Sequence, residues 1–142
     1  TIGESHEVSE NGTLANLVGL KNLGSIGDSL RIMKNPGLQF FGGLTKLGYI
    51  GSELSIELNH GLQHFNEIEN VKTVDGAISI RYNDELSSIS GLNGLETVSG
   101  NLTIQGNINL PECSIENTLK DIGDNVRGVT LVENNNNEIM CD

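Results

Sequence analysis

The six residues Ile78-Ser-Ile-Arg-Tyr-Asn83 (ISIRYN) decide the fold of this chain, because the same pattern recurs every 24 residues. It reads LRIMKN at residues 30–35, LSIELN at 54–59 and LTIQGN at 102–107. The first and third residues of each copy are apolar, which places two side chains on one face of an extended segment. Each copy therefore predicts one short β-strand that ends next to an asparagine.

Beyond the strand, each copy continues with apolar residues at its positions 9, 12, 15, 18 and 21. In the four copies that start at residues 6, 30, 54 and 78, apolar residues fill 27 of the 28 apolar positions, the exception being His6. Further copies are predicted to start at residues 102 and 129. A spacing of three drifts around an α-helix, so short extended or 3₁₀-like sides are expected instead.

A repeat of this length cannot bury its own apolar residues, but stacked repeats bury them between one another. The sequence therefore predicts one mainly-β domain over residues 1–142. Its architecture would be a right-handed β-helix or leucine-rich-repeat-like solenoid of about six rungs, spaced about 4.8 Å apart. The composition agrees: Leu, Gly and Asn number 18 each and Ala only two, which excludes a helical bundle.

Asparagine is the most regular polar residue of the repeat, at its sixth position. Identical amides stacked at the spacing of strands can form a hydrogen-bonded ladder that satisfies buried backbone groups. A structural role is favoured over a ligand role. The predicted ladder consists of Asn11, Asn35, Asn59, Asn83, Asn107 and Asn134.

The pattern changes in residues 111–142, which are predicted to form a C-terminal cap. Ile115, Leu119 and Ile122 recur at helical spacing, with Ser114 as the N-cap and Gly123 as the stop. A last strand is expected over residues 129–131.

The only two cysteines, Cys113 and Cys141, both lie in this cap. They could be free thiols, half of a metal site or a disulfide. Further ligands at suitable spacing are missing, which argues against zinc. A disulfide that holds the last coil is favoured, and it implies an oxidising compartment.

The formal net charge of −11 argues against nucleic acid and anionic membranes as partners. No apolar run approaches the roughly 20 residues that a bilayer requires, so direct membrane insertion is not expected.

Catalytic patterns are also missing from the sequence. His60 and His64 have helical spacing, but Gly61 argues against a shared helical face and a metal site. Two acidic pairs, Asp84 with Glu85 and Asp28 with Asp75, could bind a calcium ion, but the repeated Asp pattern of calcium-binding β-rolls is missing and solvated turns are favoured. We therefore predict no enzymatic activity, no catalytic residue, no metal and no cofactor.

The remaining candidate for function is the outward face of the strands, where exposed aromatic and aliphatic groups lie beside arginine. Phe40 and His64 fall at the adjoining turn. The candidate ligand-binding residues on this face are Arg31, Met33, Lys34, Glu57, Leu58, Arg81, Tyr82 and Gln105.

The repeat, and in particular ISIRYN at 78–83 and LTIQGN at 102–107, resembles the receptor L domain, the leucine-rich-repeat-like family of the insulin and epidermal growth factor receptors. The ending Leu110-Pro-Glu-Cys113, followed by a helix and an Asn-rich turn, is similar to the C-terminal cap of bacterial secreted or surface proteins with such repeats. The resemblance implies the fold over nearly the whole chain. It implies a recognition surface but no particular ligand.

Three functions remain as hypotheses. The first is an extracellular recognition or adhesion module that binds a protein or carbohydrate on a cell surface, as the terminal domain of a longer surface or fibre protein whose stalk would set the oligomeric state. The second is a structural spacer of the cell envelope without a specific ligand. The third and least favoured is a carbohydrate-active enzyme, which would require a second carboxylate aligned with Glu57.

Overall fold

A computed structural model, which describes residues 4–138, contains ten β-strands, one α-helix and four short 3₁₀ helices in that part of the chain. The strands are β1 (His6–Ser9), β2 (Ser25–Ile26), β3 (Leu30–Met33), β4 (Tyr49–Ile50), β5 (Leu54–Glu57), β6 (Thr73–Val74), β7 (Ile78–Arg81), β8 (Thr97–Val98), β9 (Leu102–Gln105) and β10 (Thr130–Glu133). The helix α1 spans Glu112–Ile122.

The strands form two open parallel sheets, which confirms the predicted mainly-β class. The larger sheet has the order β1-β3-β5-β7-β9-β10 and the smaller one β2-β4-β6-β8. Pairing follows the repeat, since Leu30 lies opposite Leu54, and Leu54 lies opposite Ile78. The sequence did not predict the second row of strands, which are only two residues long and end at apolar position 21.

The apolar positions of the repeat form the core. In the three repeats that start at residues 30, 54 and 78, every one of these side chains is at most 2% exposed. Phe41 and Phe65 stack on each other with ring centroids 5.8 Å apart. Full burial of each such side chain contributes roughly 1.5–3 kcal/mol, so the stack of repeats is stabilised mainly by this core.

The sides after the asparagine are short 3₁₀ helices, as expected from the spacing of three. They span Val18–Leu20, Asn66–Ile68 and Ser90–Leu92. The second repeat has none there, and turns instead through Gly42 and Leu44, both at positive φ.

The asparagines form a continuous ladder through the stack. The Asn59 backbone N–H donates to Asn83 Oδ1 (3.1 Å), and its amide nitrogen donates to the Ile32 carbonyl (2.8 Å) and to Asn83 Oδ1 (3.3 Å). The same backbone-to-Oδ1 bond joins Asn11 to Asn35 and Asn83 to Asn107. Four of these amides are fully buried: Asn35, Asn59, Asn83 and Asn107.

The last member of the ladder is Asn135, so the prediction of Asn134 was wrong. Asn135 Oδ1 accepts from the Asn107 backbone N–H (3.1 Å) and amide (3.0 Å). The final strand is offset from β9 by 28 residues and not by 27, since Thr130 lies opposite Leu102. One residue of slip moves every side chain to the other face, and Leu131 therefore points outward, 40% exposed.

Helix α1 begins at Glu112, three residues earlier than the sequence predicted, because an N-cap at Ser114 would make Ile115 the first helical residue. Extended Pro111 precedes it, so Ser114 lies inside the first turn and is not the N-cap. The predicted stop is correct, because Gly123 has φ +59° and its N–H bonds to the Leu119 carbonyl. Cys113 is disulfide-bonded, whereas Cys141, the predicted partner, lies outside the described residues.

Candidate functional site

The outer face of the six-stranded sheet is built from the second and fourth residues of each strand. The strand register aligns the fourth residues of four adjacent strands in one row: Met33, Glu57, Arg81 and Gln105. Arg31 lies in the neighbouring row, opposite Ser55. The predicted candidates are thus brought together on one surface.

The fifth residue of each repeat forms a corner at the border of this face, in the left-handed backbone region. The φ values at Glu10, Lys34, Leu58 and Tyr82 lie between 54° and 59°, and Gly106 has 69°. A non-glycine residue there is uncommon and costs roughly 1–2 kcal/mol. The corner turns the chain so that the next residue, the asparagine, enters the ladder, and it leaves Lys34 and Tyr82 exposed. Sequence reasoning missed these corners, although Gly106 was a signal.

Two of the cations on this face are paired with acids of the chain itself. Arg31 donates from Nη2 and Nε to Glu53 Oε2, at 3.0 and 3.2 Å. Lys34 Nζ lies 3.0 Å from Glu10 Oε1, on the preceding repeat. Both ion pairs are partly exposed, so each contributes little to stability. Each cation is nevertheless already paired with an acid of the chain itself.

Glu57 is held by two serine hydroxyls. Its Oε1 accepts from Ser55 Oγ (3.0 Å) and from Ser79 Oγ (2.7 Å). Both serines occupy outward strand positions but are almost fully buried. They therefore orient Glu57, a role that sequence reasoning missed because nothing in the repeat pattern marks it.

Arg81 differs from the other two cations. It lies opposite Glu57 on one side and Gln105 on the other, yet among the described residues it makes no ion pair and no side-chain hydrogen bond. Its Nε is buried without a partner. An arginine with five N–H donors and no acceptor is the group on this face with the most unused hydrogen-bonding capacity.

Tyr82 provides an exposed aromatic ring beside Arg81. Its side chain is 44% exposed, and the Cδ1–Cε1 side of the ring packs where a Cβ of residue 106 would be. A Cβ at residue 106 would force the ring to shift, so Gly106 allows the ring its present position. Leu58, on the preceding corner, is half-buried.

The remaining candidates on the face are partly engaged. Gln105 Nε2 lies 3.4 Å from Glu133 Oε2 on β10. At the adjoining turn, Phe40 and His64 stack with centroids 6.2 Å apart. His64 Nδ1 is 3.9 Å from Glu67 Oε2, and both buried atoms lack a hydrogen bond to any residue between 4 and 138.

The acidic turns hydrogen-bond within the chain. Asp84 lies 2.8 Å from His60 Nδ1. Asp75 accepts from the Tyr49 hydroxyl at 2.8 Å, and this hydrogen bond, with desolvation and the charge of Asp75, raises the pKa of Tyr49.

Between residues 4 and 138, no cluster of three or more His, Cys, Asp or Glu side chains could hold a metal ion. No helix in the same part of the chain is long and apolar enough to cross a membrane.

Comparisons with known proteins give no relative: no family model, no curated protein and no solved structure matches this chain.

Proposed function

We propose that this chain is an extracellular recognition or adhesion module that binds a protein or a glycan through the outer face of the larger sheet. We further propose that its repeats form a right-handed solenoid of the receptor L domain type. The in-register parallel pairing at 24-residue intervals and the buried asparagine ladder support this architecture. Such a stack is a rigid platform whose outward positions are free to serve a ligand.

Arg81 carries the proposal. Arg31 and Lys34 are already paired within the chain, whereas the guanidinium of Arg81 has no partner among residues 4–138. The next residue in the chain is Tyr82, whose ring is exposed. Arginine and tyrosine are the residue types that most often anchor interfaces. A ligand with a carboxylate, carbonyl or hydroxyl acceptor and a flat apolar side would satisfy both groups.

The disulfide at Cys113 supports an extracellular or cell-surface location, because disulfides persist in oxidising compartments. The net charge of −11 disfavours polyanionic partners. Our proposal assigns no catalytic activity to the chain.

A first experiment compares the wild type with the double variant Arg81→Ala, Tyr82→Ala in glycan-array and cell-surface binding assays. The matched control is Arg127→Ala, Tyr49→Ala, which removes the same two residue types from other exposed positions. We expect the control to bind as the wild type does and the double variant to lose at least tenfold in affinity. Equal binding by all three proteins would contradict a binding site at Arg81 and Tyr82.

A second variant tests Arg81 without deleting it. Glu57 reaches Ser79 on the next strand at 2.7 Å, which shows that side chains on this diagonal of the sheet meet. The same diagonal leads from Arg81 to Thr103. Thr103→Glu should therefore give Arg81 an internal partner and weaken ligand binding, whereas Thr103→Gln should not.

A structural spacer is the second candidate, and the ties between successive repeats favour it. Lys34 with Glu10 and His60 with Asp84 link neighbouring repeats in addition to the ladder. A spacer predicts that the chain binds no glycan or cell surface at all, and that Arg81 variants change nothing.

A further inference from the structure

The free hydrogen-bonding groups of the outer face alternate between acceptor and donor along one row of side chains. Glu57, Arg81 and Gln105 are neighbours in this row, because β5, β7 and β9 pair in register. No described residue donates to Glu57 Oε2, and none accepts from the guanidinium of Arg81. Gln105 uses Nε2 toward Glu133, and its Oε1 accepts from no residue between 4 and 138. The row thus presents an acceptor, a donor and an acceptor on strands about 4.8 Å apart.

These groups are restrained before any ligand binds. Two serine hydroxyls hold Oε1 of Glu57, and Nε of Arg81 is buried, so that only the terminal nitrogens of the guanidinium are left to meet a ligand. The Tyr82 ring packs against residue 106, which directly follows Gln105, so the ring borders the same row. Groups that are already ordered lose little entropy when they bind.

The charges along the row disfavour an ionic ligand. An anionic group at Arg81 would also face the Glu57 carboxylate on the adjacent strand, in a chain whose net charge is −11. Glu133 adds a further carboxylate to the same row. A cationic group at Glu57 would in turn face Arg81. A neutral ligand avoids both repulsions.

The neutral group that fits this row is the hydroxyl, because it donates and accepts at once. Of two adjacent hydroxyls, one can donate to Glu57 Oε2 while the other accepts from Arg81. Sugar rings carry hydroxyls in such adjacent pairs, and their C–H faces pack on exposed aromatic rings such as that of Tyr82. The centre of a protein interface is by contrast apolar, whereas the neighbouring row of this face carries the hydroxyl side chains of Ser79 and Thr103.

We propose that this site binds a neutral carbohydrate. The inference rests on the proposed recognition function and narrows its ligand from a protein or glycan to an uncharged sugar. Adjacent hydroxyls of one sugar ring bridge Glu57 and Arg81, Gln105 Oε1 accepts from a further hydroxyl, and the Tyr82 ring covers a C–H face of the sugar.

The experiment screens the full chain on an array of neutral glycans that includes β-1,4-linked mannohexaose and cellohexaose. Two matched charged probes accompany them: the mannuronic acid hexamer, which carries carboxylates, and the glucosamine hexamer, which carries amines. We expect the chain to bind at least one neutral glycan and to bind neither charged probe more tightly. Raising NaCl from about 50 to 500 mM should leave the affinity for the neutral glycan within about twofold, because no ion pair holds it.

Glu57→Gln distinguishes a neutral ligand from an anionic one by the sign of its effect. It keeps an oxygen for the two serines but removes the second acceptor and the charge, so it should weaken binding of a neutral sugar roughly tenfold. The same variant would strengthen binding of an anionic ligand. Glu7→Gln is the matched control, because it makes the same change at an exposed position of the same sheet, on β1. It should bind like the wild type.

The aromatic ring is tested by Tyr82→Leu, which should weaken binding of the neutral sugar roughly tenfold, whereas Tyr82→Phe should retain it. Leucine is accepted at this corner, since Leu58 occupies it in the preceding repeat at φ +59°. Unchanged urea midpoints show that these variants fold like the wild type.

Three results would each overturn the carbohydrate assignment: no neutral glycan bound, a preference for a charged probe, or tighter binding by Glu57→Gln. The proposed recognition function is judged separately, by binding to cells whose glycans have been removed with glycosidases. If the Arg81, Tyr82 double variant lowers binding to such cells, the ligand is a protein and only the carbohydrate assignment fails. If that variant binds glycans and both kinds of cell as the wild type does, the recognition site itself is wrong.

Discussion

Replacing Asn59 by alanine tests the ladder at its centre. The side chain is fully buried and takes part in four hydrogen bonds: it accepts the backbone and amide N–H of Asn35, and it donates to the Ile32 carbonyl and to Asn83 Oδ1. After truncation, the Asn35 amide still has the Val8 and Met33 carbonyls. The Asn35 backbone N–H, however, has lost its acceptor, and the Ile32 carbonyl has lost the amide.

The magnitude follows mainly from the Asn35 backbone N–H, because Ile32 lies in the strand pairing between β3 and β5 and its carbonyl is not counted as unpaired. Leaving a buried donor unpaired costs roughly 1–3 kcal/mol. We therefore expect Asn59→Ala to reduce the free energy of unfolding by about 2 kcal/mol. This is a large fraction of the total stability of a domain of this size.

The assay is urea unfolding followed by circular dichroism, with the change in free energy taken from the midpoint at an unchanged m value. Asn11→Ala is the matched control: Asn11 is exposed, its Oδ1 has no donor in the described chain, and its amide bonds only to the Ser9 carbonyl and Asn35 Oδ1. It should lose less than about 1 kcal/mol. Equal losses in the two variants would refute the contribution that we assign to the buried ladder.

Three further predictions concern single positions. Phe65→Ala should cost about 3–5 kcal/mol in the same urea assay, because the ring is fully buried in the core and its removal leaves a cavity; a smaller loss than at an exposed position would contradict this. Lys34 has φ +54°, where a β-branched residue is more strained than lysine, so Lys34→Val should lose stability, on the order of 1 kcal/mol, whereas Lys34→Gly should not. The Tyr49 hydroxyl donates to Asp75, which raises its pKa above the ordinary 10.0, so its contribution to stability is present below that pH and is lost as pH rises through the higher folded pKa. In ultraviolet titration, Asp75→Asn should move the Tyr49 midpoint down, and an unmoved midpoint would contradict the assignment.

The core could be predicted from the sequence because its signal is repeated. Each apolar position recurs in several repeats, so one exception, such as His6, does not hide the pattern. The corners could not be predicted in the same way. Lys34, Leu58 and Tyr82 are not turn residues, and they adopt positive φ because the ladder and the strands on either side fix the path of the backbone.

The register of the last strand, β10, could not be predicted from the repeat pattern. Residues 129–132 read Val-Thr-Leu-Val, and apolar residues fit the core in either of two registers. The choice depends on how many residues α1 and the turn after it need to return to the sheet, which a local pattern does not contain. The structure uses four extra residues and brings Val132 opposite Ile104.

The candidate site depends on pairings that the repeat period only partly encodes. Lys34 and Glu10 are one period apart and share a corner, so their pairing follows directly from the 24-residue offset. Arg31 pairs instead with a residue 22 positions later, as Glu57 does with Ser79. At the same offset from Arg81 stands Thr103, which carries no charge, and Glu57 on the other side is held by two serines. Within residues 4–138, Arg81 is therefore left without a partner at the offset that pairs Arg31 with Glu53. This difference makes Arg81, and not the more exposed Lys34, the centre of the proposed binding surface.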